Sequence, residues 1–88
     1  MKVDRKKQLE TKQGRCYLLA NAVTHLTEHG MSVEEVKDSM RLHIAFLLSG
    51  GILVEEYQTA HAEEIERIVE RTMEDAIPAL SAYTKATE

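Results

Sequence analysis

The sequence contains few of the residues that interrupt helices or stabilise secreted proteins. Its 88 residues include one proline, four glycines, no tryptophan and a single cysteine, Cys16. A lone thiol cannot form an internal disulfide, which predicts a reducing, cytoplasmic setting. The basic N-terminus has no apolar run behind it, so we expect no signal peptide. The longest apolar region, residues 42–54, is too short to cross a bilayer, so no membrane partner is predicted.

Positive charge is scarce outside the N-terminal segment. The net charge is −4, but residues 1–15 carry six Lys and Arg against two acids, whereas the remaining residues carry five against thirteen. Most of the surface should therefore repel nucleic acid, and only the first fifteen residues could attract it.

The rest of the chain is typical of an all-α protein. Apolar residues recur at helical spacing, and breakers at Gly30, at the Gly50–Gly51 pair and at Pro78 divide the pattern. We predict one domain spanning residues 1–88, with helices over about 4–29, 33–48 and 52–76 and a short helical turn after them. Residues 1–8 and 84–88 are expected to fray. Cys16 falls on the apolar face of the first helix, which predicts a place in the core.

Two of these helices have a second apolar face. Leu18 and Ala22 lie on the back of the first helix, and Leu42 and Phe46 lie on the back of the second. A three-helix monomer cannot easily cover two faces of both helices, which predicts a homodimeric helical bundle. The alternative is that Leu42 and Phe46 are covered by the third helix or the tail of the same chain.

The stretch "HLTEHGMSVEEV", residues 25–36, allows three interpretations. His25, Glu28 and His29 match the H-x-x-E-H pattern of some zinc peptidases, but so short a helical chain has little room for a cleft, and we expect no metal site. Another interpretation is simply the end of one helix and the start of the next. It accounts for every position, because Gly30 can end one helix and Ser32 can begin the next with a capping box.

The second interpretation is a helix-turn-helix-like element over residues 25–41 that binds DNA. Acidic residues at the start of its second helix would face phosphates, which disfavours it. As an alternative function it would use the basic side chains of the N-terminus and of the second helix, namely Arg5, Lys6, Lys7, Lys12, Arg15, Lys37 and Arg41.

No set of residues in the sequence predicts catalysis. Cys16 and His25 are more than two helical turns apart, and His43 and His61 lie on or beside apolar faces, where core or interface roles are commoner than metal binding. We therefore expect no enzyme activity and no cofactor. The predicted function is that of a small regulatory interaction protein, of the bacterial or phage type, that forms a homodimer and binds another, unidentified protein.

Overall fold

The computed structural model describes residues 4–87, with side chains described to Ala82. This part of the chain is all-helical and contains no strand. The elements in chain order are α1 (Arg5–Glu10), α2 (Cys16–Thr27), α3 (Val33–Ser49), α4 (Val54–Ala60) and α5 (Ala62–Thr87). The prediction of an all-α fold is confirmed, whereas the prediction of three helices is wrong because two of them are divided.

The first division separates α1 from α2. The hydroxyl of Thr11 donates to the Gln8 carbonyl and accepts from the Gly14 backbone N–H, both at 3.0 Å, so the chain folds back on the end of α1. A Cβ at position 14 would lie 1.6 Å from the Gln8 carbonyl oxygen, so this turn requires glycine. Because the interruption resets the helical phase, Cys16 is exposed rather than part of the core, and that prediction is wrong.

The connection between α2 and α3 is the helix end and helix start that residues 25–36 predict. Gly30 takes the left-handed conformation with φ +63°, which costs glycine little. Ser32 caps α3, accepting from the Glu35 backbone N–H while its own N–H donates to the Glu35 carboxylate. These hydrogen bonds lower the pKa of Glu35. Met31 packs against the core cluster to which buried Val36 belongs, and a hydrophobic staple uses residues at these two positions.

This cap provides a direct test of the α2–α3 boundary. We expect Ser32→Ala to lower the free energy of unfolding by about 1 kcal/mol, because one backbone donor loses its acceptor. Gly30→Val should cost at least as much, since a β-branched residue resists positive φ. The control is Ser39→Ala, which alters an exposed serine in the middle of α3. Equal urea midpoints for all three variants and the parent would show that the cap does not stabilise the fold.

The second division separates α4 from α5. At His61 the backbone leaves helical geometry (φ −121°, ψ 32°), and α4 packs on α3 while α5 packs on both α2 and α3. The predicted end near Ala76 is also wrong, because α5 continues to Thr87 with Pro78 inside it. Pro78 is exposed, so the carbonyl that loses its helical donor can be satisfied by water.

The core lies where α5 crosses α2 and α3. Ile44, Ala45, Val69 and Ala76 have no exposed surface, and Leu18, Ala22, Val36 and Met40 surround them. Thr72 is also fully buried, and its hydroxyl donates to the Ile68 carbonyl at 2.8 Å, which satisfies it without a partner from another helix. Leu9 of α1 joins the same cluster, which fixes the short first helix to the rest of the domain.

Candidate interaction surface

Large apolar side chains are exposed on the outer face of α3 and in the turn that follows it. Leu42 and Phe46, one helical turn apart, are 52% and 54% exposed, and Ile52 and Leu53 are 71% and 68% exposed. We call these four residues the α3–α4 patch. Of the two alternatives for Leu42 and Phe46, coverage by the chain's own third helix or tail does not fit this exposure within the described residues. The side chains therefore remain open to a second molecule.

The turn after α3 connects the last turn of the helix, which includes Phe46, to Ile52 and Leu53. Gly50 and Gly51 both have positive φ, and the Gly51 N–H donates to the Phe46 carbonyl at 3.0 Å. A Cβ on Gly51 would lie 3.2 Å from the Phe46 ring. The ring therefore rests against the glycine backbone, and the chain proceeds directly from this contact to Ile52 and Leu53. Leu42 lies one turn before Phe46 on α3, so the four exposed apolar side chains follow one another along the end of α3 and the turn after it.

Leu53 occupies an unfavourable conformation within the patch. Its φ of 51° and ψ of 49° make it the one non-glycine residue with positive φ among residues 4–87. A left-handed leucine costs about 1–2 kcal/mol, and glycine or asparagine would fit more easily. Leu53 is also exposed, so the folded chain recovers little of this cost through burial. A strained apolar residue that its own chain leaves uncovered is typical of a functional surface.

The other two predicted interface residues do not belong to this surface. Leu18 and Ala22 are 3% and 2% exposed, because they pack in the cluster that α2 forms with α3 and α5. The hypothesis that they form an interface does not fit the structure. The division of the first helix at residues 11–15 is the physical reason, since it turns the Leu18–Ala22 face of α2 inward and leaves Cys16 and Tyr17 outside.

Most of the basic residues predicted for nucleic acid are engaged with carboxylates. Arg15 is buried, donating to Asp75 at 3.1 Å and to the Leu9 carbonyl at 3.0 Å. Lys6 lies 3.6 Å from a Glu64 oxygen, and Lys37 lies 3.7 Å from a Glu70 oxygen. The sequence gives no local signal for these pairs, because each joins residues that are far apart along the chain.

Arg41 is the most strongly paired of these basic groups. Its guanidinium makes two hydrogen bonds to Glu66, at 2.8 and 3.1 Å, and another to Asp38. The bonds to Glu66 raise the pKa of Arg41, and the same bonds lower the pKa of Glu66. A guanidinium held this way does not point freely at a phosphate. Arg5, Lys7 and Lys12 of the predicted DNA-contacting set are exposed and form no ion pair among the described residues, while Lys6 is exposed but lies beside Glu64.

The histidines do not form a metal centre with other ligands in the described part of the chain. His25 and His29 are neighbours, with ring centroids 5.5 Å apart, but no group of three potential ligands forms. His43 meets the edge of Tyr17, and exposed His61 stacks on Tyr57 at 4.2 Å. Tyr57 is half-buried, and burial is the main reason that its pKa is raised. These contacts are aromatic packing and assign no chemistry to the histidines.

Two features of the surface were not predicted from the sequence. The first is the exposed turn at Ile52 and Leu53: the sequence predicts a helix from residue 52, whereas α4 begins at Val54. The second is a cleft between α1 and α5, which forms only because α1 is a separate helix.

Comparison with known proteins gives no relative from which a role could be transferred. The chain matches no protein-family model, no curated protein and no solved structure. Among the helices of residues 4–87, none combines the length and apolar character needed to cross a membrane.

Proposed function

We propose that this protein is a small, non-enzymatic helical interaction protein that forms a homodimer through the α3–α4 patch. The observation that carries the proposal is the exposure of Leu42, Phe46, Ile52 and Leu53 at one corner of the fold. Removing apolar surface from water contributes about 25 cal/mol per Å², from which the entropic cost of association is subtracted. Phe46 is the anchor, because an aromatic side chain supplies a large apolar area with few rotatable bonds.

A second copy of the chain suits this patch for a geometric reason. A two-fold dimer brings the same surface together from both subunits, so each apolar residue meets apolar residues of its copy and no buried charge needs a counter-charge. The patch residues themselves carry no charge, while Glu55 and Glu56, in the first turn of α4 after Leu53, are exposed and would form the rim. An apolar centre with a polar rim is the usual anatomy of a protein interface.

Dimerisation through the patch leaves other apolar side chains open for another protein. Tyr17 is 65% exposed on α2 and Ile77 is 68% exposed on α5. Neither belongs to the patch, so in the proposed dimer both stay accessible. We propose that the regulatory role consists of binding another protein through surfaces of this kind, with the dimer presenting two copies of each.

The mass in solution tests the dimer. We expect light scattering after size exclusion to give about twice the 10.0 kDa chain mass. The mass should persist at high salt, because burial of apolar surface rather than surface ion pairing holds the subunits together. A monomer mass at low micromolar concentration would contradict the proposal.

A DNA-binding regulator is the alternative proposal, and exposed Arg5, Lys7 and Lys12 favour it. Two subunits could bring these cations together into one basic surface. Heparin affinity separates the two proposals. If the protein binds DNA, the parent should be retained on heparin at low salt, and the triple variant Arg5→Gln, Lys7→Gln, Lys12→Gln should be retained less. The protein-binding role predicts that heparin retains neither the parent nor the triple variant.

A further inference from the structure

A cleft of about 240 Å³ lies between α1 and α5. Leu9 and Ile68 line it with apolar surface, and charged side chains from both helices line the rest: Lys6, Glu10, Glu64, Arg67 and Arg71. This space is many times what one water molecule needs, which is enough for a small organic molecule. None of these residues belongs to the α3–α4 patch.

Two cations of the cleft have no carboxylate partner within the part of the chain that the structure describes. Arg67 and Arg71 stand one turn apart on α5, both exposed, and no acidic group among the described residues pairs with either. The neighbouring acids of the same helix, Glu66 and Glu70, are paired with α3 instead. Guanidinium groups bind carboxylates and phosphates through parallel hydrogen bonds, so this side of the cleft suits an anionic group.

Glu64 presents the opposite chemistry in the same cleft. Its side chain is 17% exposed, and the Lys6 ammonium, 3.6 Å from Oε2, is too far for a hydrogen bond. The other oxygen, Oε1, is buried and has no hydrogen-bond partner. A carboxylate that is largely removed from water and receives no hydrogen bond is unfavourable. A protonated amine entering the cleft would donate to the other oxygen, Oε2, which the Lys6 ammonium approaches without forming a hydrogen bond.

We propose that this cleft binds a small dipolar molecule that has an anionic group at one end and a protonated amine at the other. The anionic group binds Arg67 and Arg71, and the amine donates to Glu64. A short aliphatic stem packs on Leu9 and Ile68. The site is independent of the proposed dimer, because it uses different helix faces and can be occupied in a monomer.

Three compounds with the same five-carbon stem test the two ends separately. 5-Aminovalerate carries both charged groups, valerate only the anion and pentylamine only the cation. In an NMR titration of the ¹⁵N-labelled full chain, we expect 5-aminovalerate to bind in the millimolar range and to shift amides of α1 and of residues 64–71. Valerate and pentylamine should bind about tenfold more weakly, because each lacks one charged contact.

Variants assign the contacts. The double variant Arg67→Gln, Arg71→Gln should weaken 5-aminovalerate binding about tenfold or more, with an unchanged thermal midpoint, because both side chains are exposed. Glu64→Gln should remove the preference for 5-aminovalerate over valerate. Arg5→Gln, in an exposed arginine of α1 outside the cleft, is the control and should bind like the parent. No saturable shift at tens of millimolar, equal binding of valerate, or retained binding in the double variant would each overturn the proposal.

Discussion

Arg15→Met is expected to destabilise the fold by about 3 kcal/mol. The Arg15 side chain is 6% exposed. One terminal nitrogen donates to Asp75 and so connects the α1–α2 turn to α5, and the other donates to the Leu9 carbonyl. Removing the guanidinium leaves the mostly buried Asp75 carboxylate and the Leu9 carbonyl without a hydrogen-bond donor. Leaving such groups unpaired costs more stability than the intact ion pair contributes. Urea unfolding of the variant and the parent measures the difference.

Two further variants separate the ion pair from the loss of a long side chain. Arg5→Met removes an exposed arginine from α1 and should change stability by less than about 0.5 kcal/mol. Adding Asp75→Leu to Arg15→Met should recover part of the loss, because the unpaired carboxylate is then gone. If Arg15→Met behaves like Arg5→Met, the buried pair does not hold α1 in place.

Leu18→Ala is expected to lower the free energy of unfolding by about 2–5 kcal/mol, the range for a leucine truncated in a packed core. Leu18 is 3% exposed within one chain, so the cost arises from a cavity between α2 and its neighbours. The matched control is Leu42→Ala, the same truncation at a residue that is 52% exposed. In the monomer it should cost less than about 1 kcal/mol, since alanine favours the helix.

Protein concentration distinguishes the two leucines further. The loss in Leu18→Ala should be the same at every concentration, because it belongs to the folded chain. The loss in Leu42→Ala should grow as concentration rises into the dimer range, since association stabilises only the parent there. A larger effect of Leu42→Ala than of Leu18→Ala at the lowest concentration would reverse the assignment of core and surface.

Local signals in the sequence were sufficient for one part of the fold. The α2–α3 connection is determined by Gly30, Ser32 and Glu35, which lie within a few residues of one another and act through backbone geometry. The all-α class follows from apolar spacing in the same way. The outward direction of Leu42 and Phe46 was also predicted, because a single uninterrupted helix fixes the angle between them and the buried stripe.

The errors arise where a turn changes the helical phase. A threonine and a glycine, Thr11 and Gly14, end α1 and so reverse the expected positions of Cys16 and Leu18. Neither residue alone is a strong breaker, and the turn depends on their combination with the Gln8 carbonyl. The pairing of Arg15 with Asp75 spans 60 residues, so no sequence pattern indicates it. For the same reason, the sequence predicts more exposed positive charge in the N-terminal segment than the structure has, because Arg15 is buried.

The most direct test of the interaction surface is circular dichroism and sizing of Phe46→Ala. Phe46 is 54% exposed, so its removal should leave the helical content and the folded monomer intact. We predict that the variant keeps the parent's spectrum and elutes with the 10.0 kDa mass of one chain, whereas the control Val33→Ala, at an exposed residue of α3 outside the patch, elutes as a dimer. Loss of helicity without a folded monomer, or a Phe46→Ala dimer as stable as the parent's, would contradict a role for Phe46 as the interface anchor.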